Sequence, residues 1–214
     1  FIRALGAVEV EAVPVATLEF FFDCSSPWTY LAFERALTLF ARDDVEIIWK
    51  PILVGGVFNA INPGVYDTRA NPVPTKLSYQ QKDLQDWARM GGLVIGQPPV
   101  FPVNSVKAMR GAFYALEHGL LVEYSRAVFK RYWSDLVDIS QAAVLSPTVA
   151  AVGLDVDDFF TAIATKAYKD RLRNSTDELM QRGGFGSPTM YLDGDDMYFG
   201  NDRLELIKAR VDQR

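Results

Sequence analysis

The feature that most narrows the possible folds is the unit between Val15 and Pro51. Residues 15–22 read VATLEFFF, an apolar run rich in aromatics and bounded by Pro14 and Asp23. A run of this length and composition reads as a buried strand. Ser25-Ser26-Pro27 comes next, followed by WTYLAFERALTLFAR. Serine directly ahead of proline marks a helix start, with Ser26 at the N-cap and Pro27 at the first helical position. Tyr30, Phe33, Leu37 and Phe40 then fall close to helical spacing on one face. Val45–Trp49 is a second strand, ended by Lys50-Pro51. Strand, helix and strand in this order form a parallel βαβ unit, which commits the chain to the α/β class.

The rest of the chain is mostly helical until its end. Residues 54–72, with Gly55, Gly56, Pro63, Gly64 and Pro72, read as loop. Residues 74–90 read as a helix with Leu77, Leu84, Trp87 and Ala88 on its apolar face, ended by Gly91-Gly92. After the loop GQPPVFPVN, a helix is expected from about Ser105 to Glu117, with Val106, Met109, Phe113 and Leu116 as its stripe. Two or three helices fill 120–182, with breaks near Ser146-Pro147 and Gly153 and a cap at Asp155. The end changes character: GGFGSPTMYLDGDDMYFG reads as loop, short strand, Asp-Gly turn and short strand. DRLELIKARV closes as a helix, with Asp202 and Glu205 at capping-box spacing. These alternations describe an α/β domain, 15–72 and 184–214, interrupted by a helical insertion at 73–183.

Composition excludes several classes of function. The 214 residues carry a net charge of −5 and no cluster of basic residues, so nucleic acid is not an expected partner. No run of 18 apolar residues occurs, so no membrane span is expected. Residues 1–14 lack a basic region followed by an apolar run, so no signal peptide is expected. Cys24 is the single cysteine, which rules out an internal disulfide and fits a reducing, cytoplasmic setting. His118 is the single histidine. A Ser-His-Asp triad would have to use it, and no G-x-S-x-G elbow supports one. A zinc site of histidines and cysteines is not available, so no metal is expected.

Two segments, FFFDCSSPWTYLAFERA at 20–36 and GGFGSPTMYLDGDDMYFGNDRLELI at 183–207, resemble the 2-hydroxychromene-2-carboxylate isomerase family. That family is a close relative of kappa-class glutathione transferases within the DsbA-like thioredoxin superfamily. WKPILVGGVFNAIN at 49–62 and the K-x-x-Y-x-x-x-D-L-x-x-W-A pattern from Lys76 to Ala88 extend the similarity, which covers roughly residues 17–210. The resemblance implies a thioredoxin-like fold with a large all-helical insertion, glutathione as cofactor, a small aromatic substrate, isomerase activity and a homodimer. A kappa-like glutathione transferase, or a DsbA-like protein without dithiol chemistry, is the alternative.

The resemblance also assigns residues. Dithiol relatives carry Cys-x-x-Cys at the start of the first helix, where this chain reads Ser26-Pro27-Trp28-Thr29. Internal thiol–disulfide exchange is therefore excluded at this site. In the resembling families the serine donates a hydrogen bond to the glutathione sulfur, and a helix N-terminus favours thiolate over thiol. Spacing alone reads Ser26 as a cap. Ser187-Pro188 resembles the cis-proline loop, which would turn the Ser187 backbone toward the cysteinyl backbone of glutathione like an added strand. Gly184 and Gly186 would let the chain pass tightly. Asn201, Asp202 and Arg203 open the last helix, where the γ-glutamyl group would sit; capping by Asn201 or Asp202 is the plain alternative. Asn62 and Lys76 stand where the family has an asparagine and a lysine near the ligand, with Asn59 or Asn71 as alternatives to Asn62. Trp28, Phe58, Tyr79 and Trp87 are candidates for the wall of an aromatic pocket. Cys24 is the rival thiol, read as a buried apolar residue.

Overall fold

The computed structural model describes residues 15–214, and there the two ends of the chain build a single sheet. Pro14 and the stretch read as lacking a leader lie outside the described residues. Strand β1, Ala16–Phe22, pairs in parallel with β2, Val45–Pro51, and the crossover is helix α1, Pro27–Leu39. Strand β3, Thr189–Leu192, lies antiparallel on the other side of β1, and β4, Asp196–Phe199, extends it, giving the order β2-β1-β3-β4. β2 runs two residues beyond the expected Trp49, and Pro51 pairs opposite Phe22. An edge strand has room for proline because one side of its backbone needs no partner.

The period of two in β1 sorts its side chains onto two faces. Phe20 and Phe22 face α1 and meet Phe33, Trp49 and Phe129 in the large core. Phe21 faces the other way, into a smaller core with Ile52, Val57, Leu179 and Tyr191. Both faces are covered, so the run of aromatics has no polar alternation at its end.

Between β2 and β3 lie eight helices. They are α2 (Val54–Ile61), α3 (Gly64–Ala70), α4 (Pro74–Met90), α5 (Val106–Glu117), α6 (Leu121–Trp133), α7 (Ala142–Ala151), α8 (Val156–Ala164) and α9 (Lys166–Gln181). Residues 54–70, expected as loop, are two short helices. Gly55 and Gly56 sit in the first turn of α2, where Val54 N–H donates to the distant Asp23 carboxylate at 2.8 Å. A cap supplied from β1 offsets poor local propensity. Four helices rather than two or three fill 120–182, and Pro147 lies inside α7 rather than breaking it. Asp155 caps α8 as expected, accepting from Asp158 N–H at 2.8 Å. α6 contributes Phe129 to the sheet-facing core, so the helical segment and the sheet share one apolar interior.

The closing helix α10, Leu204–Val211, follows a single 3₁₀ turn at Asn201–Arg203. Its expected capping box is absent: Arg203 holds the cap position without a side-chain cap bond, and the Asp202 carboxylate turns to Arg203 at 2.8 Å. The 3₁₀ turn leaves Asp202 one residue ahead of the cap position.

Candidate functional site

Three elements meet where β1 ends. The chain leaves Phe22 through Asp23, turns at Ser25, and enters α1 with Ser26 at the N-cap and Pro27 at the first turn. Ser26 Oγ accepts from Thr29 N–H at 3.3 Å, the expected capping bond, and donates to the Ser187 carbonyl at 3.2 Å. The Ser187-Pro188 peptide is cis. Ser187 Oγ accepts from Asp23 N–H at 3.0 Å and lies 2.8 Å from Thr29 Oγ1. The start of α1, the end of β1 and the loop before β3 are thereby joined by side-chain hydroxyls. Gly186 makes this approach possible, since a Cβ there would come within 2.8 Å of the Phe199 ring. At Gly184 a Cβ would collide with Leu179.

Asp23 is the residue that sequence reasoning passed over. It is fully buried, and its carboxylate accepts from Ser25 N–H, Val54 N–H and Ser105 Oγ at 2.9, 2.8 and 3.0 Å. Burial pushes its pKa up, against the pull of those donors. Asp23 thus fixes the first turns of α2 and α5 beside the turn that carries Ser26. An isolated aspartate at a strand end gives no sequence signal for this, because its partners lie 31 and 82 residues away.

Above the joint lies a cavity of about 710 Å³. Its wall includes Ser26, Trp28, Phe58, Asn59, Asn62 and Ser187. Phe101, Phe185 and Phe199 add aromatic surface, and Phe185 and Phe199 pack with centroids 4.5 Å apart. Among the lining residues Arg69 is the sole cation, and no Asp or Glu stands with it. Its guanidinium lies over the rings of Phe58 and Phe101, 5.4 and 5.1 Å from their centroids. Two main-chain donors beside Ser26, Trp28 N–H and Ser187 N–H, have no hydrogen-bond partner among the described residues.

The expected site residues separate into two groups. Ser26, Asn62 and Ser187 line the cavity, and Pro188 adjoins it; Asn62 Nδ2 donates to the Phe185 carbonyl at 3.4 Å. Asn59 lines it too, with its Oδ1 held by Tyr66 Oη at 2.7 Å, whereas Asn71 ends α3 outside it. Lys76, Asn201, Asp202 and Arg203 are not lining residues. Lys76 is exposed on α4, one turn before the lining residue Gln80, and Asn201–Arg203 begin two positions after Phe199. Asn201 is buried with its carbonyl bound by Arg35 at 3.0 Å, and its Nδ2 has no partner. Of the aromatic candidates, Trp28 and Phe58 reach the wall. Tyr79 is exposed on α4, and Trp87 lies under the Arg35 guanidinium instead.

Neither Cys24, the rival thiol, nor His118 lines the cavity. Cys24 is fully buried, its backbone N–H donates to Met109 Sδ at 3.3 Å and its carbonyl accepts from Trp133 Nε1 at 2.9 Å. Burial, reinforced by the Asp23 charge, pushes the thiol well above its ordinary range. His118 stacks on Tyr114 at the C-terminal end of α5, the opposite end from the cavity.

Residues 17–212 match the DSBA-like thioredoxin domain model. The chain belongs to the DsbA-like thioredoxin family. Within that family, it is 30% identical over 196 residues to 2-hydroxychromene-2-carboxylate isomerase of Pseudomonas putida, covering 91% of this chain and 93% of the other. It is 28% identical to human glutathione S-transferase kappa 1, covering 89% of this chain and 88% of that one. A solved 2-hydroxychromene-2-carboxylate isomerase superposes with a TM-score of 0.79 at 28% identity, over 92% of this chain and 95% of that one. Pseudomonas aeruginosa DsbA, at 17% identity and a TM-score of 0.57, shares the fold over 96% of this chain and 87% of that one. The chain is therefore similar to isomerases and kappa-class transferases and shares a DsbA-like thioredoxin fold. No helix among the described residues is long and apolar enough to cross a membrane.

Proposed function

We propose that this DsbA-like protein is a glutathione-dependent isomerase of a small aromatic carboxylate, resembling 2-hydroxychromene-2-carboxylate isomerase. The observation that carries the reading is the position of the Ser26 hydroxyl. It sits at the N-terminus of α1, in the wall of an aromatic cavity, across from a cis-proline loop. The donors at this point fit a thiolate ligand: the Ser26 hydroxyl, the free Trp28 N–H and the positive end of a 13-residue helix. Glutathione would supply a thiolate nucleophile that adds to a conjugated carbon and leaves again after bond rotation.

What this chain contributes is binding, orientation and charge stabilisation. Ser26 gives its single proton to the sulfur by releasing the Ser187 carbonyl, so the gain is a neutral bond exchanged for a charge-assisted one. The freed Ser187 carbonyl and the open Ser187 N–H form one strand edge for the tripeptide backbone. Asn62 and Pro188 flank that edge. Lys76 on α4, and Asn201, Asp202 and Arg203 ahead of the last helix, are assigned to the terminal charges of the tripeptide. Phe58, Phe101, Phe185 and Phe199 provide flat apolar surface, and Arg69 provides the cation for a substrate carboxylate.

The test is titration calorimetry with glutathione, followed by turnover of 2-hydroxychromene-2-carboxylate with and without it. Saturable binding and glutathione-dependent turnover are expected. Binding without isomerisation, together with conjugation of electrophiles, would move the chain to the transferase reading. Absence of glutathione binding would remove both.

A further inference from the structure

A second cavity, of about 390 Å³, opens between α2, α5 and α9 and shares Leu53, Gly56 and Val106 with the wall of the first. Its charge is unusual for a chain of net charge −5. Arg110 of α5 and Lys169 and Arg173 of α9 line it, against one carboxylate, Asp177. Arg173 reaches Asp170 at 3.6 Å. Among the described residues Arg110 and Lys169 make no ion pair with any acid. Arg110 Nε is moreover buried without a hydrogen-bond partner. A buried guanidinium N–H left unpaired costs stability, and an anion on the accessible end of the same guanidinium would offset part of that cost. Burial also draws the Arg110 pKa down, the effect of desolvation with no acid to oppose it. Leu53, Val106 and Leu172 add apolar surface beside these cations.

We propose that this cavity is a binding site for a small organic carboxylate, with its head on Arg110 and its apolar body against Leu53, Val106 and Leu172. The volume falls within the range of small-molecule sites, about 300–1,000 Å³. Arg110 lines the cavity, and the planar guanidinium fork is the side chain suited to a carboxylate. Lys169 and Arg173 supply the surplus positive charge. The apolar surface selects an acid with a hydrocarbon body over a fully hydrated inorganic anion. Asp177 in the wall disfavours a second negative charge on the ligand. None of this rests on glutathione binding at Ser26.

The test is calorimetry of the full chain with benzoate and hexanoate, with hexanol as the uncharged control and inorganic phosphate as the hydrated one. The carboxylates should bind, the controls should not, and affinity should fall as salt rises. Arg110→Met should weaken binding at least about tenfold, the loss of one charge-assisted hydrogen bond. Arg110→Lys, which keeps the charge and guards against a folding defect, should weaken it less. Amide resonances of Gly56, Ala60 and Thr176 in the parent chain should shift on titration. Saturating glutathione should leave carboxylate binding in place. The proposal is overturned if no carboxylate binds at millimolar concentration, or if phosphate binds as well as hexanoate. It is equally overturned if binding survives Arg110→Met but is lost in Arg69→Met, which would place the ligand in the first cavity.

Discussion

The joint around Asp23 and the arm made by α3 and α4 are built on opposite terms. In the joint, β1, α1, α2, α5 and the cis-proline loop meet through short polar side chains, and the groups that hold it, Asp23, Thr29, Ser105 and Ser187, are buried. In the arm, every residue from Tyr66 to Lys82 is exposed, and α4 buries only Ala88 among its 17 residues. The two regions border the same cavity, the joint as its floor and the arm through Tyr66, Arg69 and Gln80. Stability should therefore be concentrated in one wall of the site and nearly absent from the other. A fixed floor facing a loosely held wall is an arrangement in which the loose side can vary without loss of the fold.

The strongest way to break the contrast is Asp23→Ala. It strands two backbone N–H groups and one hydroxyl in the interior, and leaving a buried donor unsatisfied costs about 1–3 kcal/mol each. Some of that is regained, because the raised Asp23 pKa shows that burying the charge was itself unfavourable. A net loss of about 3 kcal/mol is expected, read as a melting point lower by roughly 6–12 °C. A change of under a degree would mean that the joint does not hold the fold.

Ser26→Ala comes next and acts on rate rather than on the fold. A hydrogen bond to a charged group contributes about 1.5–3 kcal/mol, so turnover should fall roughly 10- to 150-fold. Loss of the cap bond to Thr29 N–H should cost about 1 kcal/mol of stability, so melting must be followed alongside kinetics. Parent turnover in the folded variant would leave Ser26 as a cap alone. Cys24→Ala reverses the pattern. Removing a fully buried sulfur should cost about 1–3 kcal/mol while leaving turnover intact. In the parent chain the thiol should resist alkylation at neutral pH until the protein unfolds, and ready alkylation of the native state would contradict its burial.

How much of each region was legible follows from the range of its interactions. Ser26-Pro27 announces a helix start within two residues, so the α1 start was readable from local signals. The cis-proline loop and the place where a dithiol would stand were legible only through the family resemblance. Asp23 was not legible, because its meaning lies in Val54 and Ser105, far along the chain. The same distance hid α2, whose Gly55 and Gly56 signal loop until Asp23 is seen to cap them. Pro147 shows the converse, a breaker tolerated inside α7 where tertiary packing overrides propensity. Arg69, Phe101 and Phe199 come to the cavity from three separate elements and share no spacing that could have marked them.

A smaller effect is expected at Glu19, on the interior strand β1 of the joint's sheet. Burial would raise the Glu19 carboxyl, but Arg182 at 2.6 Å and Lys50 at 3.4 Å outweigh it and hold the pKa below its ordinary 4.5. A carboxylate with a lowered folded pKa stabilises the fold above its unfolded pKa, and this contribution is lost as pH falls through the folded value. Glu19→Gln should therefore flatten the acid limb of the stability curve below about pH 4.5. Its effect at neutral pH should be about 1 kcal/mol or less, since the ion pair is partly solvated. A steeper acid limb in Glu19→Gln would reverse the sign and discard the assignment.

The smallest effects should lie in the arm, and they decide whether the contrast is a property of the isolated chain. Leu77 is 39% exposed and Tyr79 is 65% exposed, both on α4. Leu77→Ala and Tyr79→Ala remove little buried area, and alanine has the higher helix propensity, which offsets part of that loss. Each should change stability by no more than about 0.5 kcal/mol, as for other surface substitutions. Gln80→Ala sharpens the point, because Gln80 is the α4 residue that lines the cavity. It should leave melting unchanged while altering the KM for the aromatic substrate. A loss above about 1 kcal/mol at Leu77 or Tyr79 would mean that the arm is covered in solution, because exposed positions cannot lose burial they do not have. If that loss grew with protein concentration, the cover would be a second copy of the chain, and the loosely held wall of the cavity would be fixed by assembly rather than by the fold.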